Sequence, residues 1–599
     1  MASYASRLNS AVNGSDVERS LLLSELCPAE LLIQAPPHHG LPHPRWEDSN
    51  SSGLCSSIPP PPLVYFVSPG GSDASNGSQS APFATIPRAL FEVAQQRAAN
   101  GDASACIWLR GGSYRLMSPV PVDLGSLEIA AYGGEAPVLS GAVAVATPSW
   151  APFSSSTQAQ CWVAAGAAPA GLNVSAIFDA SGAHRSTARF PDTNLSGSPF
   201  PAAWVAPPSK QGPSYAWAEA PAWQQCNSTV VTVASPCFEN FTSQGGMSPC
   251  FEARVGCGSL RFDPPTEPGT PRSVCGDVMS PLCNTVPGGL NLSLATLPGL
   301  PWPWAHPEDA RVHAMKVIDG DAYGWYSYTW AVNGATPGGA LTFGPGGFQS
   351  GQGETADGHT FSFFLENALE LLDFPGEAFY DGRTGSVYMC GETGSGAPGP
   401  TVELAVNPYL LSIEGPLSDV SVRGVRFERT ASTILAPHTV PGGGDLAAHP
   451  RGALTISGSV AGATVAQCAF VDVGGSAVVV AGHAQGVQVV DSVFDGAGAH
   501  QVLVLGTSEL ADATGPDLPR DTLIAGNAMR GGGRENKFAA PIAVALAPRT
   551  RVLGNVVYEC PRTAVYYNDI SGSPAQRLEN NVLFVSRWRG WKGGPGGLS

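Results

Sequence analysis

One phrase recurs through the last third of this chain, and recurrence limits folding more than any single motif does. Val420-Ser421-Val422-Arg423-Gly424-Val425-Arg426-Phe427 is echoed by Thr464 to Phe470, then by Val487 to Phe494, Thr522 to Arg530, Arg551 to Tyr558 and Arg577 to Phe584. Aligning the phrases places Gln467, Asp491, Asn527, Asn555 and Asn581 in one column, with Phe427, Phe470, Phe494, Tyr558 and Phe584 in a second. Between them lies another strand type: Leu454 to Ile456, Ala477 to Ala481, Val502 to Leu505, Ile542 to Leu546 and Ala564 to Tyr567. Uninterrupted, the repeat is about 24 to 28 residues, enough for one coil of two or three short parallel strands. Coils stacked about 4.8 Å apart set like residues over like, so an amide column passes hydrogen bonds between coils while an aromatic column fills the interior. Leucine-rich repeats need a Leu-x-x-Leu-x-Leu frame and propellers need blades of about 40 residues; neither fits. An ordinary sandwich gives no reason for two registered columns. Thr433 to Arg451 and Thr507 to Pro519 interrupt the repeat and read as loops between coils, a usual place for a binding wall.

The rest of the chain divides by pattern. Residues 1–62 are polar and then proline-rich, and read as a weakly ordered leader. Residues 63–145 open with the strand Leu63 to Val67. Ile86, Ala89, Leu90, Val93 and Ala94 then fall at helical spacing, with Thr85 as N-cap, Pro87 in the first turn and Asn100-Gly101 as the stop. Strands follow at Cys106 to Leu109, Leu127 to Tyr132 and Pro137 to Ser140. A helix with one apolar stripe, set before stacked strands, suits the open end of a solenoid and reads as an N-terminal cap. Residues 146–400 lack a fixed period and read as an inserted β-rich, cysteine-containing domain. Residues 401–588 hold the coils, and 589–599 form a tail.

Composition narrows the partners. A formal net charge of −17 disfavours nucleic acid and anionic membranes, which need a cationic surface, and leaves neutral sugars unaffected. Strongly anionic glycans would need a local cluster of Arg to override that sign. No run of residues is long and apolar enough to span a membrane, and a monomer is expected. Thirteen cysteines, six of them crowded between Cys226 and Cys283 without a C-x-x-C pair, point to disulfides and not zinc. Asn-x-Ser/Thr sequons, among them Asn173, Asn194, Asn227, Asn240 and Asn291, agree with an extracellular or cell-wall setting. Met1 to Pro36 lacks the apolar run of a signal peptide, so either an incomplete N-terminus or an unusual export route is expected.

Several phrases resemble a known group. Tyr65-Phe66-Val67-Ser68-Pro69-Gly70-Gly71-Ser72-Asp73, Leu109-Arg110-Gly111-Gly112-Ser113-Tyr114 and Ala131 to Gly141 look like the opening of right-handed β-helix proteins of the pectin-lyase-like superfamily. Ala188-Arg189-Phe190-Pro191, Leu365 to Asp373 and Pro375-Gly376-Glu377-Ala378-Phe379-Tyr380-Asp381 are similar to the subgroup containing β-helical α-L-fucosidases and xylanases. The resemblance implies an all-β chain: a right-handed parallel β-helix with an N-terminal helical cap and an inserted β-rich domain. It also implies glycoside hydrolysis by paired carboxylates without a cofactor or metal. One departure stands out. In that subgroup the coil resembling Val552 to Asn581 is followed by an acidic Asp-x-Gly-Ala-type phrase, whereas here Val585 to Ser599 offers no such acid.

Glycoside hydrolysis needs one carboxyl raised in pKa to protonate the leaving oxygen and one ionised as base or nucleophile. Acids at comparable coil positions are Asp569, Asp495 and Asp472, the candidate catalytic residues. His500, Glu559, Arg562 and Tyr567 are candidate polysaccharide or oligosaccharide contacts. Asp491, standing in the amide column, reads as structural, as do Glu366, Asp373, Glu377 and Asp381. Trp302, Trp304, Trp325 and Trp330 could stack on sugars but fit a buried core better. Two other classes stay open: a non-catalytic glycan-binding β-helix protein, and a polysaccharide lyase using Arg534, Lys537, Arg549 or Arg562. The acidic Ca²⁺ cluster and the motifs of pectate lyases are absent from the sequence.

Overall fold

A computed structural model describes residues 54–56, 62–146, 148–155, 159–190, 218–220, 223–224, 289–292, 294, 300–318, 321–347, 360–439, 446–506, 518–560, 562–568 and 576–584. Three parallel sheets form the frame. The first runs in order through Leu63–Val67, Ala105–Leu109, Leu127–Ala131, Val420–Arg423, Thr464–Ala466, Gln488–Val490, Leu523–Ala525, Arg551–Leu553 and Arg577–Glu579. The second runs from Val120–Val122 through Leu411–Glu414, Gly452–Ser457, Ser476–Ala481, Val502–Leu505 and Ile542–Ala545 to Val565–Asn568. The third contains Gly112–Arg115, Pro137–Ser140, Arg426–Glu428, Ala469–Val473, Val493–Ala497, Ala528–Arg530, Val556–Tyr558 and Val582–Phe584. Each complete turn of chain therefore gives one strand to each sheet, and neighbouring strands in a sheet pair in parallel.

The alternation of these strands explains why they stack. Ile129, Val422, Val465, Val489, Ile524 and Val552 point inward from the first sheet, and Leu411, Leu454, Val478, Val502 and Ile542 from the second. Inside the third sheet the Phe427, Phe470 and Phe494 rings lie parallel, with centroids 4.7 and 4.9 Å apart. Stacked β-branched and aromatic side chains of this kind give each coil an apolar floor and ceiling, so no coil buries its core alone.

The two columns exist, but the alignment by residue type slips by one. Ala466, Val490, Ala525, Leu553 and Glu579 are the register partners. Gln467 and Asp491 therefore fall opposite Gly526, Gly554 and Asn580, all five at positive φ in a left-handed corner. Glycine takes that conformation without strain, and Asn and Asp tolerate it. The amide file begins one residue later. Asn555 Oδ1 accepts from Asn527 N at 3.0 Å and Nδ2 at 2.9 Å, and Asn581 Oδ1 accepts from Asn555 N at 2.8 Å and Nδ2 at 2.9 Å. Ser492 N donates to Asn527 Oδ1 at 3.0 Å, and Cys468 N donates to Ser492 Oγ at 3.1 Å. Likewise Met529, Val557 and Leu583, and not Tyr558 and Phe584, continue the ring column. Because strand side chains alternate in face, a slip of one residue exchanges inside for outside.

The helix spans Ile86–Asn100, with Thr85 accepting from Arg88 N and Gly101 closing the end; Ile86, Ala89, Leu90 and Val93 are buried against the first coils. Leu54–Ser56, at the end of the stretch read as a leader, is tied down by the Cys55–Cys106 disulfide and by Cys55 N donating to Glu128 Oε2 at 2.6 Å.

The frame runs straight past the inserted region. Leu127 pairs with Val420 and Val138 with Arg426, although hundreds of residues separate them in sequence. Ala142–Ala146 leaves the coil and Thr401–Ala405 returns beside it, antiparallel, closing the neck. Two eight-stranded sheets lie between, both mainly antiparallel. The Cys161–Cys390 disulfide joins neighbouring strands there. The six cysteines between Cys226 and Cys283 lie outside the described residues. Among the described residues no helix is long and apolar enough to cross a membrane.

Candidate functional site

Register on the third parallel sheet gathers charge on its outer face. Glu428, Val471, Asp495, Arg530 and Tyr558 form one outward file, next to the inward ring column. The following residue of each coil, Arg429, Asp472, Gly496, Gly531 and Glu559, turns the corner toward the second sheet, all at positive φ. Asp472 and Asp495 thus come from adjacent coils, about 4.8 Å apart along the stack. Arg530 Nε lies 3.6 Å from Asp495 Oδ1 and 3.0 Å from Glu559 Oε2. Burial pushes the Asp495 carboxyl above its ordinary value; Arg530 opposes the shift and the Asp472 charge adds to it.

A loop brings a further acid. After Ala528–Arg530 the chain runs Gly531-Gly532-Gly533 and folds back over earlier coils: Gly533 N donates to Ala499 O at 2.7 Å, Arg534 N to Ala497 O at 2.8 Å and Glu535 N to Gly498 O at 2.9 Å. Gly531 and Gly533 have φ of 66° and 73°, which permits the reversal. Arg534 Nη1 then meets Asp472 Oδ1 at 2.7 Å, and Glu535 accepts from Ser432 Oγ, which lies three coils earlier in the chain. Burial pushes the half-buried Glu535 up, with Arg534 and the Ser432 hydroxyl opposing. Lys537 is buried behind them, its Nζ donating to Gly533 O at 3.1 Å, and burial pushes its ammonium well below the usual range.

The inserted domain supplies the facing charges. Arg189, Glu366 and Arg311 are register partners on three neighbouring strands. His313 Nε2 lies 2.7 Å from Glu366 Oε1, and Thr329 Oγ1 lies 3.0 Å from His313 Nδ1. Burial alone would raise the Glu366 carboxyl, but His313, helped by Arg189 and Arg311, outweighs it and holds the group at about 2. Arg311 and Glu366 both act electrostatically on Glu535. Glu377 instead ties backbone together, accepting from Arg189 N, Asp373 N and Phe374 N. Asp381 accepts from Arg383 N and Thr384 Oγ1.

The candidate residues therefore separate into groups. Asp472, Asp495 and Glu559 come together on the third sheet. His500 does not join them: it is buried at the start of the second sheet, Nδ1 2.9 Å from Ala540 O, and burial lowers it to about 4. Arg562 lies on the second sheet's outer side, over the rings of Phe538 and Tyr566 at 4.3 and 4.6 Å. Tyr567 lies apart from the third-sheet acids, half-buried on the second sheet. It pairs with the inward Val544 and packs against the coil core, where burial pushes its hydroxyl up to about 12. Asp569 lies outside the described residues. Trp304 and Trp330 are buried in the inserted domain's core. Glu535 was missed as an acid. Its signal was three glycines followed by Arg534-Glu535-Asn536-Lys537, in a coil longer than its neighbours. Among the described residues no group of three or more His, Cys, Asp or Glu side chains is arranged to hold a metal.

No family model and no curated protein matches the chain. A solved structure titled "Glycoside hydrolase" aligns with 87% of this chain and 96% of its own, at 15% identity and a TM-score of 0.49. Another, titled "The complex structure of XylC with xylose", aligns with 88% of this chain and 64% of its own, at 12% identity and a TM-score of 0.36. At such identities and scores these likenesses carry no functional weight.

Proposed function

We propose that the chain is an extracellular carbohydrate-active protein on a right-handed parallel β-helix whose first helix closes the N-terminal end. It acts on plant or algal cell-wall polysaccharide in the manner of a glycoside hydrolase. The observation that carries this reading is the placement of Asp495 and Asp472 on adjacent coils. One carboxyl is pushed up by burial, and the other is hydrogen-bonded to Arg534. Hydrolysis of a glycosidic bond uses such a pair: one carboxyl that holds a proton more readily and donates it to the leaving oxygen, and one that activates water or attacks carbon. Asp495 takes the first role and Asp472 the second, with Arg530 and Glu559 bordering the sugar. Glu535, also pushed up by burial, follows Arg534 on the loop and is the second candidate proton donor. The two disulfides among the described residues support an oxidising, extracellular setting.

The test is turnover of aryl fucosides, xylan and pectin by the parent protein and by Asp495→Asn, Asp472→Asn, Glu535→Gln and Asp569→Asn. Loss of about 100-fold or more in kcat for Asp495→Asn, with folding intact, is expected. Hydrolysis unaffected by both Asp495→Asn and Asp472→Asn would reject the assignment. A binding-only protein is the second reading, favoured by the arginine beside each acid. Retention of these glycans without release of reducing ends, in the parent and all variants, would establish it.

A further inference from the structure

The two carboxylates that flank Arg530 do not share it equally. Arg530 Nε donates to Glu559 Oε2 at 3.0 Å, whereas Asp495 Oδ1 lies 3.6 Å from the same nitrogen, beyond hydrogen-bond reach. Among the described residues the Asp495 carboxyl makes no hydrogen bond. Two other charged groups act on it, Asp472 from the previous coil and Arg534 from the folded-back loop, and these are engaged with each other at 2.7 Å. Tyr558, one coil beyond Arg530 in the same outward file, is the remaining titratable neighbour. Which carboxylate Arg530 holds therefore decides how much positive charge Asp495 meets at close range.

The backbone at Glu559 points the same way. Glu559 turns its corner with φ of 54°, where the two preceding coils carry Gly496 at 74° and Gly531 at 66°. Glycine takes that conformation freely, and a longer side chain takes it at a cost. Among the described residues Arg530 is the one ion partner of Glu559, whose side chain is otherwise turned to solvent, 49% exposed. A strained corner that carries a side chain with a single partner directs attention to that contact.

We propose that Glu559 is a positioning residue for Asp495: its hydrogen bond holds the Arg530 guanidinium and keeps it from closing on Asp495, whose carboxyl is then free to carry the proton that a leaving group takes. This rests on the reading of Asp495 as proton donor and adds a residue that sets the donor without touching the reacting atoms. Charge and contact work in the same direction. The Glu559 carboxylate opposes ionisation of Asp495, and Arg530 favours it, so loss of Glu559 subtracts the first influence and releases the second. The Asp495 side chain is 27% exposed and exchanges protons with solvent directly. Because Glu559 is exposed as well, its influence is screened and should shrink as salt rises.

An NMR titration of the Asp495 carboxyl carbon tests this, in protein labelled at aspartate Cγ and with the resonance assigned by its loss in Asp495→Asn. Glu559→Gly is the first variant, since glycine relieves the corner instead of straining it. The Asp495 midpoint should fall in it by about half a pH unit or more. Glu559→Gln, which leaves the corner as it is, should move the midpoint the same way with an unchanged circular dichroism spectrum. Arg530→Gln should raise the midpoint, and adding Glu559→Gly to Arg530→Gln should then lower it by clearly less than Glu559→Gly does alone. If a glycan is hydrolysed, the basic limb of kcat/KM against pH should move down with the titration, because activity falls as Asp495 gives up its proton. A midpoint unchanged or raised in Glu559→Gly, or an equal drop with Arg530 present and absent, overturns the inference. Its failure is distinguishable from failure of the hydrolase reading. A midpoint that falls without turnover of any glycan removes only catalysis by Asp495, and turnover lost in Asp495→Asn with a midpoint indifferent to Glu559 removes only the role of Glu559.

Discussion

The coil stack and the inserted domain are both β structure, but they hold together differently. In the stack, each contact is repeated by the coil above and below: ring on ring, amide on amide, Val on Val. Among the described residues of the inserted domain no such repeat occurs, and the contacts are single ones: the Cys161–Cys390 bridge, the three backbone N–H groups gathered by Glu377, and the buried Glu366–His313 pair. Repetition gives the stack evenly spaced positions on which acids can be set one coil apart. The inserted domain adds irregular charges, Arg311 and Glu366, that act on Glu535. The candidate site needs one property from each.

Breaking each region in turn sharpens that contrast. The largest effect is expected for Phe470→Ala, which removes the middle of three stacked rings and should cost about 3–5 kcal/mol. Hydrogen exchange should show the loss across several coils and leave the described antiparallel strands of the inserted region protected. Replacing Cys161 and Cys390 together by Ser should cost about 2–4 kcal/mol, confined to the inserted domain. A loss spread evenly over both regions in either case would mean the two unfold as one unit. Asn555→Ala follows at about 1–3 kcal/mol, because Asn527 N and Nδ2 lose their acceptor in a buried place. A change no larger than that of a surface substitution would show the amide file to be ornamental.

The smallest effect depends on pH. The Glu366 carboxyl is held near 2, below its ordinary 4.5, so it contributes stability above about pH 4.5 and loses it as pH falls toward 2. The inserted domain should therefore weaken in acid relative to Glu366→Gln, which should flatten that dependence. An acid response identical in the parent and Glu366→Gln would remove this group from the account.

What could be read in the sequence follows the same division. The strands Leu63–Val67 and Ala477 to Ala481 and the helix after Thr85 were legible because periodicity and caps are local signals. The columns were legible as existing but not in register: Gln467 and Asp491 resemble Asn in chemistry, and chemistry alone cannot show that they hold a left-handed corner while Cys468 and Ser492 extend the file. The same slip put Tyr558 inside, where Val557 belongs. Asp472, Asp495 and Glu559 could be set near one another from sequence because coils repeat. Arg189, Arg311 and Glu535 could not be joined from sequence, since their meeting depends on how a non-repeating domain and a folded-back loop pack against the stack. Strand alternation, not residue type, decides that Tyr567 and not Tyr566 faces the coil core.

Coil register is the central claim, because it alone decides which acids meet, and paired cysteines measure it directly. Val493 and Ala528 are parallel partners on the outer side of the third sheet, whereas alignment by residue type would set Val493 opposite Met529. Under mild oxidation the Val493→Cys, Ala528→Cys double variant should form an intramolecular disulfide in the folded protein, and the Val493→Cys, Met529→Cys variant should stay reduced. Cross-linking only in the second variant, or in neither, would contradict the register and dissolve the site built on it.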